Sequence, residues 1–378
     1  MQPSRRGQVD PFIVMDVMES ARAAEEAGHH VIHMEVGQPS TPAPAGARRG
    51  LQSALDQPLG YTVALGLPAL RSGIADLYRR WYGVDLDPAR VVVTAGSSGA
   101  FILAFSALFD AGDRVALGEP GYPSYRQILR AMSVEPVGIQ TRADNRYQPK
   151  AQDIPEDVAG VIVASPGNPS GTMLDRDQLS AIAARCHQIG AALISDEIYH
   201  GLSYGHRAVS ALEVTDDVVV INSFSKFFSM TGWRIGWMVV PPDMVRTVER
   251  IAQNMFICPP HASQVAALAA LDCEDEAREN LAVYAANRQL MLDRLPAMGF
   301  DRIAPPDGAF YIYADVSHLT DDSLAFCREI LDRARVAVTP GLDFDPVRGG
   351  QTIRFSYARS TPEIAEGLDR LQAFMAAR

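Results

Sequence analysis

The sequence has 378 residues, 47% of them hydrophobic and 21% charged, with a net charge of −11. A chain of that length can bury a large core and fits two domains, while its acidic balance argues against a nucleic-acid partner, which needs a basic face. No apolar run reaches the roughly 18 residues of a membrane span, the N-terminus lacks the apolar core of a signal peptide, and four cysteines without CxxC spacing argue against a zinc site or disulfide framework.

Residues 16–27 place Val17, Met18, Ala21 and Ala24 at helical spacing and stop at Gly28, a C-cap residue. A short strand is expected over 31–36, followed by Gly37-Gln38-Pro39 and a Pro-rich crossing over 40–46 that marks a domain boundary. Apolar strands then alternate with amphipathic helices. Strands are expected over 90–94, 114–118, 160–164, 191–195, 217–222 and 235–240, and helices over 99–109, 124–132 and 175–188. Runs of Val and Ile without polar alternation indicate strands covered on both faces, as in parallel sheets. Helices are expected over 263–271 and 275–298. After Pro305-Pro306-Asp307-Gly308 come a strand over 309–314, a helix, a strand over 351–356 and a last helix. The reading is an α/β fold: a large domain over 46–275, its mostly parallel sheet covered by helices on both faces, and a smaller α+β domain over 276–378 with residues 1–45 packed against it.

Of 34 basic residues only Lys150 and Lys226 are lysine. Arg supplies charge as well as Lys does, but only a Lys amine can lose its proton and attack a carbonyl. Lys150 lies in a polar stretch and reads as solvated loop. Lys226 lies among aromatics and hydroxyls, in Ser223-Phe224-Ser225-Lys226-Phe227-Phe228. In open α/β sheets, ligands bind at the carboxyl ends of strands. Here those ends carry Gly96-Ser97-Ser98-Gly99, Asn168-Pro169-x-Gly171, Asp196-x-x-Tyr199, and Ser223 with Lys226.

Together with Arg234, eight residues beyond Lys226, these motifs resemble the fold-type I pyridoxal-phosphate enzymes, and most closely the class I/II aminotransferases. The resemblance runs from Gly37-Gln38-Pro39 to Ile353-Arg354-Phe355. It implies that Lys226 holds pyridoxal phosphate as an imine and shuttles the substrate's α-proton. Asp196 would keep the ring nitrogen protonated, Asn168 and Tyr199 would bond the ring's phenolic oxygen, and Tyr122 would stack on the ring. Gly96, Ser97 and Ser98 at a helix start would hold the phosphate, with Ser223, Ser225 and Arg234 completing the cup. Arg354 would clamp the substrate's α-carboxylate, near Gly37 and Asn168. Tyr61 would reach a partner subunit's phosphate, which implies a homodimer with shared sites. The implied activity is ping-pong transfer of an amino group between an L-amino acid and a 2-oxo acid, in the cytoplasm, with no nucleic-acid or membrane partner.

Other readings compete. C–S β-lyase or other α-carbon chemistry uses the same Lys, Asp and Arg. Ser223-x-x-Lys226 is also the S-x-x-K motif of serine hydrolases, but neither lysine precedes the Thr-Gly that such enzymes need. Asp196 could be a simple N-cap, Tyr122 core filler and Asn168-Pro169 an ordinary turn. His29-His30-x-x-His33 resembles a metal set, yet no carboxylate or Cys completes it, and no metal is expected. Some aspartate-type relatives carry a lysine where Ser98 stands, to read a distal carboxylate. The absence of that lysine favours a neutral or aromatic donor, with Phe12, Val14 and the segment 255–259, of this chain or of a partner, at the mouth.

Overall fold

The computed structural model describes residues 1–378. Its centre is a seven-stranded sheet of β2 (Val91–Thr94), β3 (Arg114–Glu119), β4 (Glu135–Gln140), β5 (Gly160–Ala164), β6 (Ala192–Asp196), β7 (Val219–Ser223) and β8 (Gly236–Val239). They are arranged in the order β2-β8-β7-β6-β5-β3-β4. All pairings are parallel except those of β8, which runs antiparallel to β2 and β7. The reversal is what brings the start of β8 to the edge where the other strands end. Every residue of β2, β7 and β8 is buried, as expected of strands covered on both faces.

A four-stranded sheet follows, in the order β12 (Thr339–Pro340), β13 (Thr352–Ser356), β10 (Tyr311–Asp315), β9 (Arg302–Ile303). The N-terminal segment contributes helix α1 (Ile13–Glu26) and strand β1 (Ile32–His33), which pairs in parallel with β11 (Val336–Ala337). The strand expected over 31–36 is therefore only two residues long, because the chain turns away toward Gly37.

Several elements differ from the sequence expectation. Strand β4 is absent from it: Pro136 and Gly138 are poor strand residues, tolerated because β4 is the sheet's edge. Helices α2 (Ala45–Ala54) and α3 (Pro68–Tyr82) fill a stretch for which no element is expected. Pro68 in the first turn of α3 and left-handed Gly83 just past its end are legible start and stop signals. Helix α4 (Gly96–Leu108) begins three residues earlier than expected, which brings Ser97 and Ser98 into its first turn. The long helix expected over 275–298 stops at Arg294, before Pro296.

Candidate active site

The strand ladder gathers the site. Thr94 and Ser223 both stand opposite Gly236, and Ala164 stands opposite Asp196. The segments that follow β2, β5, β6 and β7, and the one that precedes β8, therefore open onto one edge. There they border a cavity of about 520 Å³ whose lining includes Gly37, Ser97, Ser98, Tyr122, Asn168, Asp196, Tyr199, Ser225, Lys226, Arg234 and Arg354. All are residues singled out from the sequence.

Lys226 lies just past β7. Its neighbours Phe224, Phe227 and Phe228 are buried in the core, anchoring the turn while Lys226 alone of the four borders the cavity. The Lys226 Nζ donates to the Gly37 carbonyl at 2.6 Å. Desolvation lowers its amine from the ordinary 10.5 to about 8, helped by the Arg354 and Arg234 cations and opposed by Asp196. Asp196 is 4% exposed. Its Oδ1 accepts from the Ile198 N–H at 3.1 Å, and its Oδ2 accepts from the Tyr125 hydroxyl. Burial raises its carboxyl to about 6, against the hydrogen bonds of Tyr125 and Ile198 and the charge of Lys226. Asp196 thus makes the short turn contact of a cap residue and still faces the cavity.

At one end of the cavity helix α4 begins at Gly96, whose φ of +73° favours glycine. No side chain caps that helix start, so its first N–H groups and its dipole favour an anion. The Arg234 guanidinium lies so near that a Cβ on Gly96 would come within 2.5 Å of it. Ser223 lies behind this end of the cavity. Its hydroxyl is buried, bonded to Ser225 Oγ at 2.7 Å and to the Ile235 carbonyl at 3.1 Å, and it does not line the cavity. It props Ser225, and it is not placed to serve as a nucleophile.

At the other end Arg354, on β13, is 3% exposed. Its Nη1 donates to Asn168 Oδ1 at 2.8 Å, and its Nη2 donates to the Glu35 carbonyl and, at 3.3 Å, to Thr339 Oγ1. Its buried Nε has no partner, a cost that a bound anion would relieve. The guanidinium stacks 4.3 Å from the Tyr311 ring centroid and 4.7 Å from that of Phe344. Among the lining residues that sequence reasoning missed are Tyr311 and Tyr125. The Tyr122-x-x-Tyr125 spacing, one helical turn, could have suggested the second.

Phe12, Val14 and Met15 border the mouth. Asp343 fixes them there by accepting from the Ile13 and Val14 N–H groups at 3.0 and 3.1 Å. Segment 255–259 does not line this cavity, and Tyr61 is 83% exposed away from it. Of the three-histidine cluster, His33 bonds Glu35 at 2.8 Å and Glu25 at 3.1 Å.

A family model described as aminotransferase class I and II matches residues 29–371. The chain is 48% identical to a valine–pyruvate aminotransferase of Mycobacterium tuberculosis, covering 98% of this chain and 97% of that protein. It is 32% identical to an aspartate aminotransferase of Thermotoga maritima, over 96% of each. A solved structure from Silicibacter pomeroyi superposes over the whole of both chains with a TM-score of 0.96 and 66% identity.

Proposed function

The chain belongs to the class I and II aminotransferases, and from that premise we propose that it moves an amino group between a neutral L-amino acid and a small 2-oxo acid, with pyridoxal phosphate held on Lys226. The observation that carries this reading is the match of charges. Lys226, Arg234 and Arg354 are the cations lining the cavity, and Asp196 is its acid. Each has one use: Arg234 beside the α4 start for a phosphate, Lys226 for an aldehyde, Asp196 for a pyridine nitrogen, Arg354 for a carboxylate. No cation of this protomer is left to read a second carboxylate, and Ser98 stands where a distal-carboxylate lysine would. Phe12, Val14, Met15 and Val36 offer apolar wall instead. The valine–pyruvate relative agrees with a neutral donor.

Bound pyridoxal phosphate would supply an electron sink for the substrate's α-carbon. The chain's own residues do the rest. Asp196 would be the acidic partner of the ring nitrogen, its carboxyl raised by burial to about 6. Tyr199 and Asn168, which line the cavity, would present polar groups to the ring's phenolic oxygen, and Tyr122 would cover a ring face. Arg354 orients the substrate by its carboxylate. With its amine lowered to about 8, the Lys226 Nζ is partly neutral near pH 7. It can take the proton from the substrate's α-carbon and return one without leaving the cavity.

We further propose a homodimer. Tyr61, Val63, Met255 and Ile257 are all more than half exposed. Their segments are tied together by His261 Nδ1 and the Gly60 carbonyl at 2.8 Å and by Gln264, which bonds Thr62 Oγ1 and the Pro259 carbonyl. Such a joined apolar patch needs a cover, and a second copy would carry Tyr61 toward its partner's phosphate end. We take residues 46–275 as the cofactor-holding domain and 276–378 with 1–45 as the smaller one, since the large sheet lies within 91–239 and β1 pairs with β11. No helix is long and apolar enough to cross a membrane. Four unpaired cysteines fit the reducing cytoplasm, the compartment we propose.

The test is direct. Purified protein should absorb in the visible, and hydride reduction should fix the cofactor on Lys226. A panel of amino acids with pyruvate should give its highest kcat/KM with neutral donors. Protein that takes up no pyridoxal phosphate, or that prefers aspartate, would refute the reading.

A further inference from the structure

Tyr311 sits where the two ends of the cavity meet. It opens β10, whose antiparallel pairing with β13 sets Tyr311 opposite Ser356 and Tyr313 opposite Arg354. Tyr311 and Arg354 are therefore diagonal neighbours on one face of the sheet, within reach of large side chains. The Arg354 guanidinium lies 4.3 Å from the Tyr311 ring centroid. On its other side, the Tyr311 hydroxyl is 2.7 Å from the Tyr199 hydroxyl, and both groups are buried.

Two phenols have two protons, and one hydrogen bond between them uses one. The phenol that accepts keeps its own proton for a third partner. The surroundings decide which phenol that is. A Cβ on Gly37 would overlap the Tyr311 hydroxyl, so backbone crowds that oxygen. The Tyr199 ring instead faces the Lys226 Nζ at 5.8 Å. The Arg354 cation also lies against the Tyr311 ring, 4.3 Å from its centroid. A cation on that ring polarises the Tyr311 O–H and makes it the better donor.

We propose that Tyr311 is a positioning residue for the amino transfer: its hydroxyl donates to Tyr199 and so turns the Tyr199 proton toward the cofactor's phenolic oxygen, while its ring holds the Arg354 guanidinium in the orientation that meets the substrate carboxylate. The assignment rests on the reading that Lys226 carries pyridoxal phosphate. It makes one side chain serve both recognitions through separate parts, hydroxyl for cofactor and ring for substrate.

Two substitutions separate those parts. Tyr311→Phe keeps the ring and removes the hydroxyl. Pyridoxal phosphate should then bind the apoprotein about three- to tenfold more weakly, the effect of one hydrogen bond. A weaker donor at the phenolic oxygen stabilises its deprotonated form less. The pH midpoint of the loaded protein's visible absorbance should therefore rise, by up to about one unit for a tenfold loss. KM for the amino donor should stay within about twofold, since the cation–π contact survives. Tyr311→Leu removes the ring as well. It should reproduce the spectral shift and raise KM by a further tenfold or so. If wild-type protein binds and titrates but Tyr311→Phe matches it in cofactor affinity and midpoint, the role of Tyr311 is overturned. It is equally overturned if Tyr311→Phe alone raises KM as far as Tyr311→Leu. Should wild-type protein take up no cofactor, the reading beneath the proposal fails first and takes the proposal with it. If Tyr311→Leu does not fold, the cofactor affinity and midpoint of Tyr311→Phe, the smaller change, still decide the role of the hydroxyl.

Discussion

The two ends of the cavity are built in different ways. The end with Gly96, Asp196, Lys226 and Arg234 belongs to one sheet, and backbone ladders fix its spacing: Thr94 and Ser223 each face Gly236, and Ala164 faces Asp196. The end with Arg354 is assembled from remote segments. Glu35 and Gly37 come from the N-terminal stretch, Tyr311 from β10, Arg354 from β13 and Asn168 from the loop after β5. Side-chain bonds to carbonyls and ring contacts join them. The first end is a rigid frame in which a substitution removes a function without moving its neighbours. The second is a knot in which a small change moves several groups at once.

The largest effect should come from the frame. Lys226→Ala should lower amino transfer by at least about 10³-fold, within the range of a lost acid–base group, and hydride reduction should leave no cofactor on the protein by mass spectrometry. The remaining frame should still bind pyridoxal phosphate reversibly. Loss of that binding would mean that the ladders do not hold the phosphate end alone. Next is the knot's own cation. Arg354→Lys keeps the charge but loses the planar fork that spans Asn168, the Glu35 carbonyl and a carboxylate. KM should rise about 10- to 100-fold for the amino acid and the 2-oxo acid alike, the scale of charge-assisted hydrogen bonds. Cofactor affinity should hold, and equal weakening of cofactor and substrate would erase the distinction between the two ends.

The same contrast explains what could be read from the sequence. The frame was legible because Gly96, Asp196 and Lys226 lie at or just past the ends of apolar strands, so local pattern and fold rule pointed the same way, while Arg234, just before β8, was read from its spacing to Lys226. What spacing cannot say is which hydroxyl faces inward: Ser223 bonds the Ile235 carbonyl, and Ser225 takes the cavity side. In the knot, Arg354 was legible only through resemblance. Tyr311 was missed because Ala309-Phe310-Tyr311-Ile312 reads as a plain core strand, and its meaning comes from Tyr199 and Gly37, more than a hundred residues away. Edge strand β4, with Pro136 and Gly138, was hidden for the opposite reason: its local signal was weak, and its place at the sheet edge makes that weakness tolerable.

A gentler probe of the knot is Gly37→Ala. The added methyl would overlap the Tyr311 hydroxyl. Overpacking of this kind costs about 1–3 kcal/mol, readable as a shift in denaturant midpoint. Removing the oxygen leaves the ring carbon 2.8 Å from that methyl and should restore part of the loss, so Gly37→Ala with Tyr311→Phe should be more stable than the sum of the single changes predicts. Strict additivity would mean that the two residues do not meet.

The smallest effect is a shift in a pH profile, and it tests how the two ends act on one atom. The Lys226 amine is lowered to about 8, by desolvation first and then by Arg354 and Arg234, while Asp196 pulls it upward. Below that value the amine is protonated and cannot attack an aldehyde; above it the amine is free. The rate at which apoprotein captures pyridoxal phosphate should therefore rise with pH and be half-maximal near 8, well below the point for an ordinary lysine. Arg354→Met removes a cation, makes protonation easier and should move the midpoint up. Asp196→Asn removes the opposing anion and should move it down. Shifts of opposite sign from a cation of the knot and an anion of the frame, each a fraction of a unit to about one unit, are what a single amine within reach of both ends requires.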